Sequence, residues 1–408
     1  MRSASKPAGV WSNPDFRKLW FGQTVSEIGS RITRDGLPLA AVILLGATPT
    51  QMGILTGLSG VSVLLFSMYA GVWADRVRRK PVMILSDLGR AALLAAVPIA
   101  AVTGNLRMSL LYAVAALSGV LSVLFVVAYQ AYVPALVSKQ QVLEANSKLS
   151  VSNAAAEIIG PGLTGILVQT LTAPIAILAD ALSFLASAAS LVWITKPESA
   201  PDPPADAPNA WREMKEGIHA IRDNPILVRL AARSVVANFC YGMLATLYTL
   251  YAIRDLEMTP LLFGLTVATG GIGNLFGALL SNRLRLGSVF LQSALIHSLA
   301  IALIPLAGGS HLRILACMMG SQLIGDAAWV VYAVHETSVR QAIVPDRLMG
   351  RVNGAMQLLS RGVFPLGSVV GGALATVHGA RWVLWAAAAG ALASTVLLVG
   401  MRGRHAAE

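Results

Sequence analysis

The stretch from Ser109 to Val133, SLLYAVAALSGVLSVLFVVAYQAYV, holds no Asp, Glu, Lys or Arg. A helix rises ~1.5 Å per residue, so ~20 mostly apolar residues cross the ~30 Å hydrocarbon core of a bilayer. This run is long enough to cross, and eleven further runs resemble it. The predicted spans are 19–45, 52–74, 82–103, 109–133, 148–170, 173–195, 227–253, 260–282, 287–307, 312–338, 353–377 and 380–401. Short loops join most of them, so neighbours should run antiparallel. The expected fold is an all-α membrane protein, with twelve transmembrane helices in two pseudo-symmetric six-helix bundles.

Composition agrees with that reading. The chain has 408 residues, of which 55% are hydrophobic and 12% charged, with a mean hydropathy of +0.67. A soluble chain carries about a quarter charged residues. The net charge of +11 does not point to nucleic acid, because the basic residues sit in short tracts between apolar runs. Cys240 and Cys317 lie in separate apolar segments, and no two histidines have ligand spacing, so neither a disulfide framework nor a metal site is expected. The first apolar segment is long and is followed by many others, so a cleaved secretory signal is not expected.

Loop charges orient the chain. With the N-terminus cytoplasmic, 21 Lys and Arg residues fall in inside segments and 4 in outside loops (Arg107, Arg254, Arg313 and Arg381). Both termini are therefore predicted to be cytoplasmic. Residues 197–209, PESAPDPPADAPN, read as a water-exposed linker. The segment after it places Trp211, Met214, Ile218 and Ile221 on one helical face. That face suits either a helix on the cytoplasmic membrane surface or a solvated helix packed on the loops. The predicted organisation is a cytoplasmic N-terminus (1–18), a first bundle (19–195), a linker with its amphipathic helix (196–226), a second bundle (227–401) and a tail (402–408).

The halves carry a trace of duplication. Gln130-Ala-Tyr-Val-Pro134 ends the fourth span and Gln341-Ala-Ile-Val-Pro345 follows the tenth, each with an Asn (Asn146, Asn353) further on. Internal repeats with a substrate site between them near the midplane are the construction of secondary transporters.

The loop after the second span reads Gly71-Val-Trp-Ala-Asp-Arg-Val-Arg-Arg-Lys80. Gly71 permits close helix approach, and Asp75 is one acid among four bases, suited to a partner Arg or a helix N-terminus. Such an arrangement can hold one conformation shut. This stretch resembles the cytoplasmic-loop signature of the major facilitator superfamily, with Gly71, Asp75, Arg76, Arg79 and Lys80 at matching positions and Arg78 where the pattern usually has Gly. The second-half equivalent, GALLSNRLR from Gly277 to Arg285, looks like a degenerate copy without the acid. Phe16-Arg-Lys-Leu-Trp20, Arg34-Asp-Gly-Leu-Pro38, Asp180-Ala-Leu-Ser-Phe184 and Glu216-Gly217 are similar to the branch with bacterial macrolide-efflux and enterobactin-exporter proteins. The resemblance implies the major facilitator fold, alternating access and export driven by the proton gradient.

In the fifth span, Ile159-Gly-Pro-Gly-Leu-Thr-Gly165 places helix breakers in an apolar run. Pro161 removes a backbone donor, while Gly160 and Gly165 permit tight helix contact. The segment resembles the Gly-Pro motif of superfamily antiporters; ordinary small-residue packing is the alternative.

Ionisable groups in spans normally face a cavity or a partner. Glu27, Arg31, Arg34 and Asp35 share one face of the first helix by their spacing. Glu157, Asp180 and Asp326 lie in other spans, with Arg361 and Arg90 as candidate counter-charges. A carboxylate in a partly dry cavity suits a group that binds and releases a proton in each cycle. Asp35 is the first candidate carrier, then Glu27, then Asp326; a permanent structural ion pair is the alternative for each. Asp180, read as near the outer end of its span, is expected to be structural. Superfamily drug exporters often carry a buried Arg in the fourth helix, which Ser109–Val133 lacks, so Arg31 or Arg34 takes that role or coupling differs.

The expected function is proton-coupled export of a small, moderately hydrophobic molecule such as a drug, macrolide or secondary metabolite. A siderophore or a lysophospholipid is an alternative cargo, and a non-transporting scaffold or sensor the alternative class. A membrane-embedded enzyme would need a nucleophile or metal cluster that the first-span group lacks. No cofactor is expected beyond the proton gradient. The expected partners are the substrate and the lipid bilayer, with no nucleic acid, and the chain is expected to be a monomer.

Overall fold

The computed structural model describes residues 9–74, 77–198, 210–284 and 288–399, excluding the side chains of residues 63, 65–74, 210 and 288. Among the described residues the chain is helical and contains no strand. The long helices are α1 (Pro14–Leu45), α2 (Pro49–Ala74), α3 (Arg79–Val102), α4 (Met108–Leu136), α5 (Val142–Thr170) and α6 (Ala173–Val192). A shorter α7 (Ala210–Arg222) precedes α8 (Pro225–Leu250), α9 (Pro260–Ser281), α10 (Ser288–Leu306) and α11 (His311–Ile343). The chain continues through α12 (Asp346–Gly362), α13 (Phe364–His378) and α14 (Ala380–Ser394).

Local chemistry sets many of these boundaries. Proline opens α2, α8 and α9, where its missing N–H removes nothing the helix needs. Asn224 caps α8 by accepting from Ile226 N at 2.9 Å, and Thr259 and Ser310 cap α9 and α11. The predicted eleventh span is two helices rather than one. Pro365 has no N–H to offer the Arg361 carbonyl, and the chain turns at Val363 between α12 and α13.

Ten helices among the described residues are long and apolar enough to cross a membrane, counting α12 with α13 as one span. The first helix is long enough at 32 residues, about 48 Å, but its charges lower its apolarity. The second has 26 residues, and the side chains of its latter part are not described.

Two compact units divide the chain. One comprises Met1–Leu37 and Leu65–Ala207, the other Pro38–Leu64 and Pro208–Glu408. The first boundary falls at Pro38, inside α1, where proline leaves the Arg34 carbonyl without its helical donor. In the first unit, α3 packs on α4 and α6. In the second, α11 packs on α9 and α10, and α8 on α13 and α14.

The end of the first unit that holds the α1 and α3 N-termini is closed by charged side chains on helix ends. Lys18 Nζ donates to the Trp193 carbonyl at 2.7 Å, and Lys80 Nζ to the Ile194 carbonyl at 2.8 Å. Lys196 Nζ donates to the Ala135 carbonyl at 2.7 Å and the Leu136 carbonyl at 3.1 Å. Three cations thus serve the C-termini of α4 and α6, where carbonyls lack helical donors. Acids serve the complementary ends. Glu198 accepts from Arg79 N at 2.7 Å and Lys80 N at 3.1 Å at the start of α3. Asp15 accepts from Lys18 Nζ at 2.8 Å and Lys196 N at 2.9 Å. Burial raises the Asp15 pKa, but these donors outweigh it and hold the carboxyl below its ordinary value. Phe16, Leu19, Met83, Leu136 and Leu191 fill the core beneath.

In the second unit, α7 lies against α12. Arg351 pairs with Glu216, which also accepts from Arg212 Nε at 3.2 Å, and Gly217 lies against the Arg351 backbone. Ile221 is buried and Met214 packs on the same core, whereas Trp211 and Ile218 stay exposed. Only part of the predicted apolar face is therefore covered by protein.

Candidate functional site

The charged face of α1 meets α5. Arg31 Nη1 lies 2.7 Å from Glu157 Oε2, and Arg34 Nη1 lies 2.8 Å from Glu157 Oε1. One carboxylate on α5 therefore bridges two guanidiniums on α1. Arg31 Nη2 also donates to Asn153 Oδ1 at 3.0 Å, one turn before Glu157. The remaining acids are held more loosely: Glu27 lies 3.8 Å from Arg31, and Asp35 Oδ1 lies 3.5 Å from Arg34 Nε. Asp35 Oδ2 is buried without a hydrogen-bond partner among the described residues. The side chain of Asp35 is 13% exposed, against 38% for Glu27.

Close approach of the two helices makes this possible. At Gly160 a Cβ would collide with the Arg31 stem, so glycine lets that side chain cross the face of α5. Gly160, Pro161 and Gly165 are all buried, and α5 is assigned as one helix through Pro161. Three carboxylates face two guanidiniums here, so the group carries one acid in excess of its bases. Such a group can exchange a proton: neutralising any one acid balances the charge, and both Glu27 and Asp35 lack a tight partner.

The other predicted residues belong to other elements. In the second unit Asp326 presses on Gly270 of α9, and Gln322, one turn earlier, donates to the Tyr248 hydroxyl at 3.0 Å. Arg361 is exposed at the C-terminus of α12, where its charge faces the negative helix end. Of the loop signature, Asp75 and Arg76 lie outside the described residues, as do the surroundings of Gly71. Arg79 and Lys80 open α3 with their N–H groups on Glu198, and Lys80 also reaches the end of α6.

Two buried clusters bring in charged residues that the sequence reading did not single out, Asp87 in the first and Arg233 in the second. In the first, Asp87 and Arg90 of α3 pair, with Arg90 between the rings of Phe184 (4.0 Å) and Phe125 (4.6 Å). Asp180 joins them from α6. It lies two turns into a helix that begins at Ala173, and it is 1% exposed, so it belongs to the helix interior and not to the outer end. The local signal was Asp87-x-x-Arg90 in an otherwise apolar helix. In the second, Arg233 of α8 is 1% exposed and lies 3.6 Å from the centre of the Tyr332 ring. Glu336 and Arg340 extend that cluster along α11 at 3.8 Å from each other. Among the described residues, no three His, Cys, Asp or Glu side chains are placed to hold a metal ion.

Comparison with known proteins places this arrangement. The chain is 26% identical over 373 residues to macrolide efflux protein A of Streptococcus pyogenes, covering 87% of this chain and 88% of the relative. It is 24% identical over 352 residues to the enterobactin exporter EntS of Escherichia coli O127:H6 (strain E2348/69 / EPEC), covering 84% and 81%. A solved bacterial homologue of the iron transporter ferroportin, in an inward-facing state, superposes with a TM-score of 0.75 at 17% identity, covering 96% of this chain and 99% of that one. That likeness shows the fold. Residues 19–368 match the family model of the Major Facilitator Superfamily, and the chain belongs to that family of membrane transporters.

Proposed function

We propose that the protein is a proton-driven antiporter that exports a small, moderately hydrophobic molecule across a bacterial inner membrane by alternating access. It spans the membrane twelve times, with both termini cytoplasmic. The observation that carries the antiport reading is the group where Glu157 of α5 bridges Arg31 and Arg34 of α1, leaving Asp35 and Glu27 without a tight partner. Asp35 takes up the transported proton from outside and releases it to the cytoplasm, because it is the more enclosed of the two. Its Oδ2 is buried without a hydrogen-bond partner among the described residues, so protonation removes the cost of an unsatisfied charge. Arg31 and Arg34 make proton release favourable by stabilising the carboxylate afterwards. The cargo class follows the efflux relatives, one named for macrolides. A siderophore is the second reading, supported by the enterobactin exporter among the relatives.

Everted vesicles, energised and then challenged with macrolides, dyes and siderophores, test this. Substrate-triggered proton release from the acidified lumen, abolished in Asp35→Asn at equal protein level, is the expected result. Proton release in that variant at the wild-type rate removes Asp35 from the mechanism. No response to any compound, with folded protein present, overturns proton-coupled drug export.

A further inference from the structure

The first unit contains a charge imbalance that the α1–α5 group does not use. Asp87, Arg90 and Asp180 are 0%, 5% and 1% exposed, in spans, with two carboxylates against one guanidinium. Arg90 is already committed. Its Nη2 pairs with Asp87, its plane lies between Phe125 and Phe184, and its Nη1 reaches the Ser122 hydroxyl at 3.4 Å. Asp180 receives the Ser183 hydroxyl on Oδ1, at 2.9 Å, with the Thr33 hydroxyl beside it. Its Oδ2 has no hydrogen-bond partner among the described residues, nor does Asp87 Oδ2.

Among the described residues, no further cation comes from the surrounding helices. The α4 helix carries no charged residue, and α6 carries none but Asp180. From α1, Arg31 and Arg34 are engaged by Glu157, and Glu27 adds negative charge near Arg90. A fully ionised trio would therefore hold an uncompensated negative charge out of water. Such a charge is costly to bury, whereas a protonated carboxyl costs far less.

We infer that Asp180 holds a proton, so that Asp87, Arg90 and Asp180 form a charge-neutral, single-proton site enclosed by α1, α3, α4 and α6. Asp87 is the ionised partner of Arg90, and Asp180 is the neutral acid. The proton has a place to point. Thr33 of α1 lies beside Asp180, and its buried hydroxyl has no hydrogen bond to any other group among the described residues. A small rotation lets the acid donate to it. Gly29, one turn before Thr33, lies directly on Asp180 and Ser183, leaving no room for a Cβ. The site thus faces a different side of α1 from the Glu157 group, and the inference stands whether or not the protein couples transport to protons.

Infrared difference spectroscopy on the full-length protein in lipid, with hydrogen–deuterium exchange to identify protonated carboxyls, counts the proton directly. One carbonyl-stretch band should vanish in Asp180→Asn, a variant isosteric with the protonated acid and so expected to unfold at the wild-type temperature. The same band should vanish in Asp87→Asn, because Asp180 then ionises to become the partner of Arg90. Arg90→Gln should add a second band, since both acids then take protons. Should Asp180→Asn fail to fold, the Asp87→Asn and Arg90→Gln spectra still decide. Persistence of the band in either aspartate variant, or an unchanged spectrum in Arg90→Gln, overturns the inference.

Discussion

Replacing Glu157 by glutamine changes one atom type and the charge balance of the whole α1–α5 group. Glu157 receives Arg31 at 2.7 Å and Arg34 at 2.8 Å. A hydrogen bond to a charged group contributes about 1.5–3 kcal/mol when enclosed. Arg31 is 21% exposed and Arg34 40%, so the first bond sits near the middle of that range and the second is weakened by solvent. The two bonds together therefore contribute about 3 kcal/mol, with the outer one nearer the value of an exposed pair. Glutamine keeps one neutral acceptor, and the freed arginines can turn to Asp35 and Glu27, which already lie 3.5 and 3.8 Å away. The net loss should be about 1–2 kcal/mol, or roughly 2–8 °C in unfolding temperature for a unit of this size. The same re-pairing removes the excess acid, so Asp35 becomes a locked ion-pair partner and proton exchange slows. Tryptophan fluorescence during a thermal ramp measures the first effect, and proton release in everted vesicles the second. An unfolding temperature within about 1 °C of wild type, together with unchanged proton release, refutes the assignment of Glu157 as the bridge.

Other variants test separate parts of the molecule. Asp15→Asn should weaken the closed end of the first unit at neutral pH. The folded carboxyl lies below its ordinary value, so its stabilisation is present above about pH 4 and fades as pH falls through the folded value; wild type and variant should converge in acid unfolding. Glu216→Gln removes the pairing with Arg351 and Arg212, but these side chains are 36–80% exposed, so the unfolding free energy should change by less than about 1 kcal/mol. Arg233→Met should leave thermal stability unchanged or raised, because Arg233 Nε and Nη1 are buried without hydrogen-bond partners among the described residues and Glu336 keeps Arg340 at 3.8 Å. A clear fall in unfolding temperature would assign Arg233 an ion-pair role in the second unit.

The helices were legible because lipid demands long uncharged runs, and Ser109–Val133 declares one without any knowledge of its neighbours. The break in the eleventh span was also written locally, in Gly362-Val-Phe-Pro365, but a count of apolar residues passes over it. The spacing of Glu27, Arg31, Arg34 and Asp35 foretold a charged face, yet not its partner. Glu157 was visible as a charge in another span, and only tertiary packing brings it between two arginines. The buried trio fails for the same reason. Asp87 and Arg90 pair within one turn and were open to a local reading, whereas Asp180 lies about ninety residues away and reaches them because α3 packs on α6. The acid that caps α3 was equally hidden, since Glu198 lies at the start of a linker with no periodicity to read.

The lysines that close the first unit carry two signals at once. Lys18, Lys80 and Lys196 count among the charges from which the expected orientation is read, and in the folded protein they donate to the carbonyls that end α4 and α6. If the proposed topology holds, orientation and helix capping rest on the same three side chains. A mutational scan that neutralises them to probe orientation also uncaps two helices, so lost protein cannot be read as inverted protein. Arginine substitutions keep the insertion signal while changing the cap geometry, and only that pairing of variants separates the two roles.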